Sequence, residues 1–423
     1  MTQIRTYSKN LNKLIIVAAL GYFVDIYDLV LFGMERVSSL TEILRETTLP
    51  EAQFPNIDEQ VKQIGISLMN WQMFGMLIGG IFWGVLGDKK GRLTVLFGSI
   101  FVYSVANILN GLIHRTDLYA VLRFVSGFGL AGELGAGITL VSESMSKEKR
   151  GNGATIVASV GLFGAVVAGT VGMMIGNWRM SYIIGGVMGI LLLFLRIGVL
   201  ESAMFKEVKF NSVSKGNFLS LFKTKHRFMK FITIILVALP VWYVMAILIT
   251  LCPELMKSLN MEIPPKNARL AMTLAYAGIT IGDIASGLIS QKLRSRKKSL
   301  ILFLGLAFLF SICYFTFAKQ SQFLFYTVVV LIGFATGYWA VFVSTASELF
   351  GTNLRATVTT SVPNFVRGGT IIINTLFIYF ANSLNFGNIY SAVIVGLIIF
   401  SLSLWAWYHL EETFGKDLDY VEE

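Results

Sequence analysis

The sequence predicts an all-α membrane protein of twelve transmembrane helices in two pseudo-symmetric six-helix bundles. Three observations carry this. The 423 residues are 55% hydrophobic and only 14% charged. Soluble domains hold about 25% charge, so lipid must solvate much of this surface. Mostly apolar runs of about 20 residues, the length that crosses a bilayer, fall at 13–36, 64–87, 93–113, 118–143, 152–174, 178–200, 229–256, 268–291, 299–318, 322–348, 357–381 and 388–409. We number these spans 1 to 12. Finally, the longest polar interruption, 201–228, with Lys206, Lys209, Lys215, Lys223, Lys225 and Arg227, divides them six and six. The expected organisation is an N-terminal bundle over 1–200, a cytoplasmic linker over 201–228, and a C-terminal bundle over 229–423 ending in a short cytoplasmic tail.

Basic residues orient the spans, because cytoplasmic loops retain Lys and Arg. With the N-terminus inside, 24 of the 35 Lys and Arg fall on the cytoplasmic side, nine outside, and two, Arg123 and Arg367, within runs. This favours both termini in the cytoplasm, in a bacterial inner (plasma) membrane. It also explains the net charge of +10 without a nucleic-acid partner. Cys252 and Cys313 each lie in an apolar run and read as packing residues, with no disulfide or metal site expected. The three histidines, His114, His226 and His409, sit near run ends. Span 1 is too long for a signal-peptide core and holds two aspartates.

The halves repeat internally. Ser142–Thr155 (SESMSKEKRGNGAT) matches Ser347–Thr360 (SELFGTNLRATVTT), pairing Glu143 with Glu348 and Arg150 with Arg355. Gly84-Val-Leu-Gly-Asp88 aligns with Gly287-Leu-Ile-Ser-Gln291. Repeated halves are common in transporters, whose substrate sites lie at the repeat interface near the midplane.

Between spans 2 and 3 the chain reads Gly84-Val-Leu-Gly-Asp88-Lys-Lys-Gly91-Arg92. It resembles the G-x-x-x-D-[RK]-x-G-[RK] loop signature of the major facilitator superfamily. Glycines there permit a tight turn, and Asp88 with nearby arginines can pair at helix ends to close the cytoplasmic face. The alternative is a solvated turn with ordinary positive-inside charges. The resemblance implies a cytoplasmic gate of Gly84, Asp88, Gly91, Arg92, Glu143, Arg150, Glu348 and Arg355. In the second half Gln291 and Ser295 replace the acid and the arginine, which implies an asymmetric gate. Span 4, Arg123-Phe-Val-Ser-Gly-Phe-Gly-Leu-Ala-Gly-Glu133-Leu-Gly, resembles the R-F-x-x-G-x-x-x-G-G-E-x-G pattern of the metabolite:proton symporter branch and its sugar-porter-like relatives. Span 1, Tyr27-Asp28-Leu-Val-Leu-Phe-Gly33, is similar to that branch's W-Y-D-F-x-x-Y-G. Two positions depart: Gly21-Tyr-Phe-Val-Asp25 stands where N-x-x-E-W is usual, and Ala131 replaces a glycine.

Ionisable residues inside a membrane are costly, so each is a functional candidate. Asp25 and Asp28 share one helix face. At 1.5 Å per residue, Asp28 lies roughly 10 Å below the outer end of span 1 and Arg123 roughly 9 Å below the same surface. A carboxylate alternating between an arginine and a dry cavity changes its proton affinity between states. The expected proton-coupling set is therefore Asp28, Arg123, Asp25 and Glu133. The alternatives are a structural Asp28–Arg123 bridge, and a Glu133 that hydrogen-bonds a neighbouring helix end. In span 11, Arg367 lies between Pro363-Asn364 and Gly368-Gly369, where a helix bends. Its planar fork suits a carboxylate, so it is the candidate anchor for an anionic substrate, with pairing to Asp283 or Glu348 as the alternative. Tyr276, Tyr338, Trp242, Tyr243, Gln72 and Asn364 complete the expected substrate-binding set; aromatics of this kind also serve as packing or interface residues.

The expected function is secondary transport of a small-molecule substrate, a polar and anionic metabolite, with protons, by a monomer in a lipid bilayer. One rival is a proton-driven exporter of drugs or metabolites; span 5, Gly161-Leu-Phe-Gly164-Ala165-Val-Val-Ala168-Gly169, lacks the proline of the usual exporter element. The other is a non-transporting receptor with a transporter fold, against which stands a tail of only 13 residues from Glu411. No Walker loop, catalytic triad or metal cluster is legible, so no enzyme activity, cofactor or metal is expected.

Overall fold

The computed structural model describes residues 2–47, 57–137, 150–200, 218–261, 264–351 and 354–416. Every regular element among them is helical. The N-terminal half holds α1 (Thr2–Thr47), α2 (Ile57–Lys90), α3 (Arg92–Asn110), α4 (Thr116–Leu130), α5 (Arg150–Ile175) and α6 (Trp178–Leu200). The C-terminal half holds α7 (Lys225–Tyr243), α8 (Pro265–Leu293), α9 (Arg296–Phe317), α10 (Gln322–Thr336, resumed at Trp339–Glu348), α11 (Arg355–Ile378) and α12 (Gly387–His409). Ten of these are long and apolar enough to cross a membrane. The other two correspond to spans 4 and 11. α4 is short, and α11 carries Asn364, Arg367 and Asn374.

α1 is longer than span 1 by 11 residues at its outer end. Leu40, Ile43 and Leu44 are buried at helical spacing, so an amphipathic stripe carries the helix past the apolar run. At the other breaks the cause is local. Pro240 lies inside α7, which continues as a π-helical turn over Val244–Ile249. α10 is interrupted at Gly337, where a Cβ would meet the Ile279 carbonyl oxygen at 2.5 Å. The Asp283 carboxylate accepts from the Ala340 N–H at 2.7 Å and so caps the resumed helix.

The packing repeats between halves. α1 lies on α5 and α6, α2 on α4, and α3 on α4 and α6; α7 lies on α11 and α12, α8 on α10, and α9 on α10. Glycines set the α2–α4 seam: a Cβ on Gly75 or Gly79 would meet the Phe124 or Phe128 carbonyl at 2.1 or 2.4 Å. The α8–α10 seam repeats this with Gly278 and Gly282 against the carbonyls of Val330 and Phe334 at 2.4 and 2.0 Å. Without a hydrophobic force between helices in lipid, such backbone approach is what binds them. Each pair of glycines is offset by 203 positions, the register of the Gly84–Gly287 repeat. Across the halves α2 packs on α11 and α5 on α8, which are equivalent pairs under the same two-fold.

Candidate functional site

A cavity lies where the halves meet, in two small lobes that share Leu29, Trp242, Met245 and Tyr276 as walls. The first lobe is bounded by α1 and α2 (Phe32, Met69, Gln72) and by Met272 of α8. The second is bounded by Tyr22, Trp339 and Arg367. At the end of the bundle where α1 terminates, the halves are joined by ion pairs. Glu35 of α1 meets Arg269 of α8 at 2.6 Å, and Arg36 meets Glu254 at 2.7 Å. Arg36 also donates to the Thr250 carbonyl at 3.1 Å. Toward the opposite end Asn364 of α11 donates to the Ala131 carbonyl at 2.9 Å, and a Cβ on Gly135 would meet Thr360 Oγ1.

Of the expected substrate-binding residues, Arg367, Trp242, Tyr276 and Gln72 line the cavity. Arg367 is buried. It donates to Asn364 Oδ1 at 3.3 Å, stacks 5.7 Å from the Trp339 ring, and leaves Nε without a partner. The alternative partners lie elsewhere: Asp283 caps α10, and Glu348 pairs with Arg296 at 2.9 Å. The other three, Tyr243, Tyr338 and Asn364, are not among the residues lining the two lobes. The Tyr243 hydroxyl donates to the Ala392 carbonyl at 2.8 Å, and that of Tyr338 to the Val237 carbonyl at 3.0 Å. Both phenols are consumed by packing within the C-terminal half. Asn364 is spent between Ala131 and Thr360, joining the halves beside the cavity.

Asp28 and Arg123 do come together, inside the N-terminal bundle, but not as a bridge. Arg123 donates to Asn107 Oδ1 at 2.8 Å and lies 4.8 Å from the Tyr182 ring, with Phe32 and Tyr119 also around it. Both Asp28 oxygens are buried without a hydrogen bond. They fill the space that Gly185 leaves: a Cβ there would meet Oδ1 at 2.1 Å. The groups that act electrostatically on Asp28 are Arg123 and Asn107. Asp25, one turn inward, is likewise buried with both oxygens unpartnered, and the leading charge upon it is Arg367. Tyr103, whose hydroxyl also has no partner, is within electrostatic reach of Asp25, Asp28 and Glu133.

Glu133 is held in a buried ion pair. Arg196 grips it bidentately at 2.9 and 2.7 Å, and Ser99 donates at 3.0 Å. Besides Arg123 and Arg367, Arg36, Arg196 and Arg269 are also buried within the protein. Removing one member of a buried pair strands the other, at a cost of about 3–5 kcal/mol. We expect Glu133→Ala to lose that much stability in thermal unfolding, and Glu133→Ala/Arg196→Leu to regain most of it. A single variant as stable as the parent would show the pair contributes nothing.

Of the cytoplasmic gate residues, Gly91 has φ 94° at the N-cap of α3, a conformation glycine adopts without strain. Gly84 faces α11, where an added Cβ would come within 3.7 Å of Thr360. Asp88 ends α2 and Arg92 starts α3, while Arg150 and Arg355 start α5 and α11; their side chains lie outside the described residues, as does all of Glu143. In the second half Ser295 caps α9 by accepting from the Lys298 N–H at 3.1 Å. Its neighbour Arg296 holds Glu348. No cluster of three or more potential metal ligands occurs among the described residues.

Comparison with known proteins matches this architecture. A putative metabolite transport protein of Haemophilus influenzae is 30% identical over 198 residues, 46% of this chain and 45% of that protein. The sialic acid transporter NanX of Escherichia coli is 32% identical over 152 residues, 35% of this chain and 37% of that one. The chain thus spans less than half the length of these curated relatives. A solved structure of the proton:xylose symporter XylE, bound to 6-bromo-6-deoxy-D-glucose, superposes with a TM-score of 0.70 at 17% identity, covering 97% of this chain and 98% of the other. The profile described as Major Facilitator Superfamily matches residues 20–374, and the chain belongs to that family.

Proposed function

We propose that this protein is a secondary transporter that moves a small anionic metabolite together with a proton, by rocking of its two halves about the central cavity. The observation that carries the reading is Arg367, a buried guanidinium on the cavity wall with no ion pair among the described residues. A buried charge is costly unless something pairs with it; Asp25 lies within its electrostatic reach without bridging it, and an anionic substrate would supply a direct partner. The relative named for sialic acid is consistent with such cargo. Protons enter through Asp28 and Asp25, two buried carboxyl groups without hydrogen-bond partners. A carboxylate in a dry site is relieved of its desolvation cost by taking up a proton, and reopening to water or to a cation lets it release that proton.

The functional unit is a monomer in an inner membrane with both termini cytoplasmic. The support is the basic-residue asymmetry. A cysteine at the exposed Lys89 should react with a membrane-impermeant maleimide only in inside-out vesicles; labelling of intact cells would reverse the topology. The transport reading is tested in proteoliposomes carrying a pH-sensitive dye. Under an inward proton gradient, one member of an organic-acid panel should acidify the lumen and accumulate. Accumulation indifferent to the gradient would overturn proton coupling.

A further inference from the structure

We infer that the cargo is a compact carboxylate with an unsaturated or aromatic body and few hydroxyl groups. The inference rests on Arg367 as the anion anchor and adds what the remaining wall requires of the ligand. Four buried polar atoms without partners belong to side chains lining the second lobe: Arg367 Nε, Tyr22 Oη, Trp242 Nε1 and Trp339 Nε1. Guanidinium and indole nitrogens donate and cannot accept, and a phenol readily donates. The ligand must therefore bring acceptors to this end, and a carboxylate brings two in the geometry of an arginine fork.

The wall of both lobes is otherwise mostly apolar. The first lobe is walled by Leu29, Phe32, Met69, Met73, Met245 and Met272. Two of its polar side chains are already engaged: Gln72 donates to the Leu29 carbonyl at 3.2 Å and Thr250 to the Met245 carbonyl at 2.7 Å. A polyhydroxylated body would lose its water there and find few replacements. A flat π system meets what the wall offers, since Trp242 and Tyr276 stand where the lobes join and thioethers pack well against ring edges. Both lobes are small, which favours a small ligand. An inorganic oxyanion would leave most of this surface bare.

The test uses the full chain in detergent, titrated with benzoate, cyclohexanecarboxylate, benzamide, gluconate and inorganic phosphate, read by thermal stabilisation and tryptophan fluorescence. Benzoate should bind at least about tenfold more tightly than gluconate or phosphate, a gap of about 1.4 kcal/mol, and more tightly than benzamide. Trp242→Ala should erase most of the preference for benzoate over gluconate, and Trp242→Phe should restore it. Gluconate or phosphate binding as tightly as benzoate, with dependence on Arg367 retained, overturns the substrate class and leaves the anchor standing. Benzamide matching benzoate, with Arg367→Ala without effect, overturns the anchor and this proposal with it. Absence of binding by every carboxylate, in protein that remains monodisperse, also overturns it.

Discussion

Asp28→Asn should collapse accumulation to equilibrium while leaving exchange intact. Coupled to one proton, an inward gradient of about two pH units sustains roughly 100-fold accumulation, because each unit is worth about 1.4 kcal/mol. An asparagine has nearly the carboxyl's shape and can occupy the same space against Gly185, where Oδ1 lies 2.1 Å from the position of a Cβ. It cannot take up or release a proton. The accumulation ratio should therefore fall to about one, whereas counterflow of labelled for unlabelled substrate, which needs no net proton movement, continues. Arg123 donates to Asn107 and sits in its ring of Phe32, Tyr119 and Tyr182 without touching Asp28. The arginine is thus free to approach the carboxylate in another state. Asn107→Ala should loosen Arg123 and shift the pH dependence of uptake rather than abolish it. An Asp28→Asn protein that still accumulates about 100-fold removes Asp28 from the mechanism and passes the role to Asp25, the next unpartnered acid on α1.

Arg367→Ala should cost the larger part of the binding energy. Truncating one partner of a buried, hydrogen-bonded charge pair costs about 2–5 kcal/mol, a loss of roughly 30-fold or more in affinity. Arg367→Lys keeps the charge and loses the fork, so it should fall between parent and alanine. The competing account makes Arg367 a structural partner of Asp283. In that case only the double variant Arg367→Ala/Asp283→Ala would recover folding and transport. The geometry speaks against it, because Asp283 is committed to the Ala340 N–H at the break in α10. Asp283→Ala should therefore destabilise that break whether or not Arg367 is present. Normal binding by Arg367→Ala, measured by equilibrium titration, would make the arginine structural and remove the main support for an anionic cargo.

Much of this was legible in the sequence because bilayer thickness and helical rise are fixed. The number of spans, the two-fold repeat and the matched depth of Asp28 and Arg123 follow from counting residues. What counting missed depends on facing. Ser104, Asn107 and Asn110 form a stripe at three-residue spacing in α3, all buried, and this was the available sign that α3 offers a polar partner to α4. Arg196 lies near the end of span 6, where a basic residue reads as cytoplasmic. One turn of helix is enough to bring it against Glu133 instead. Arg36 and Arg269 were assigned outside by the same arithmetic, although each is buried against an acid of the opposite half. Whether a tyrosine faces the cavity or a carbonyl of the next helix is set by the neighbour. No local pattern distinguishes Tyr276 from Tyr243 or Tyr338.

The ion pairs that join the halves have an electrical consequence. Glu35 and Arg36 are adjacent on α1 and sum to zero; so do their partners Arg269 and Glu254 in the other half. Moving one elementary charge through the membrane field is worth about 2.3 kcal/mol per 100 mV. A seal built from a single acid facing a single base would carry that work each time the halves parted, and its opening would ride on the membrane voltage. Here each half carries away a neutral doublet, and the field does almost no net work on the seal. Any voltage dependence of turnover therefore belongs to the proton and its cargo. With a monoanion and one proton that sum is also zero, so the cycle is electrically silent and is driven by the pH gradient alone.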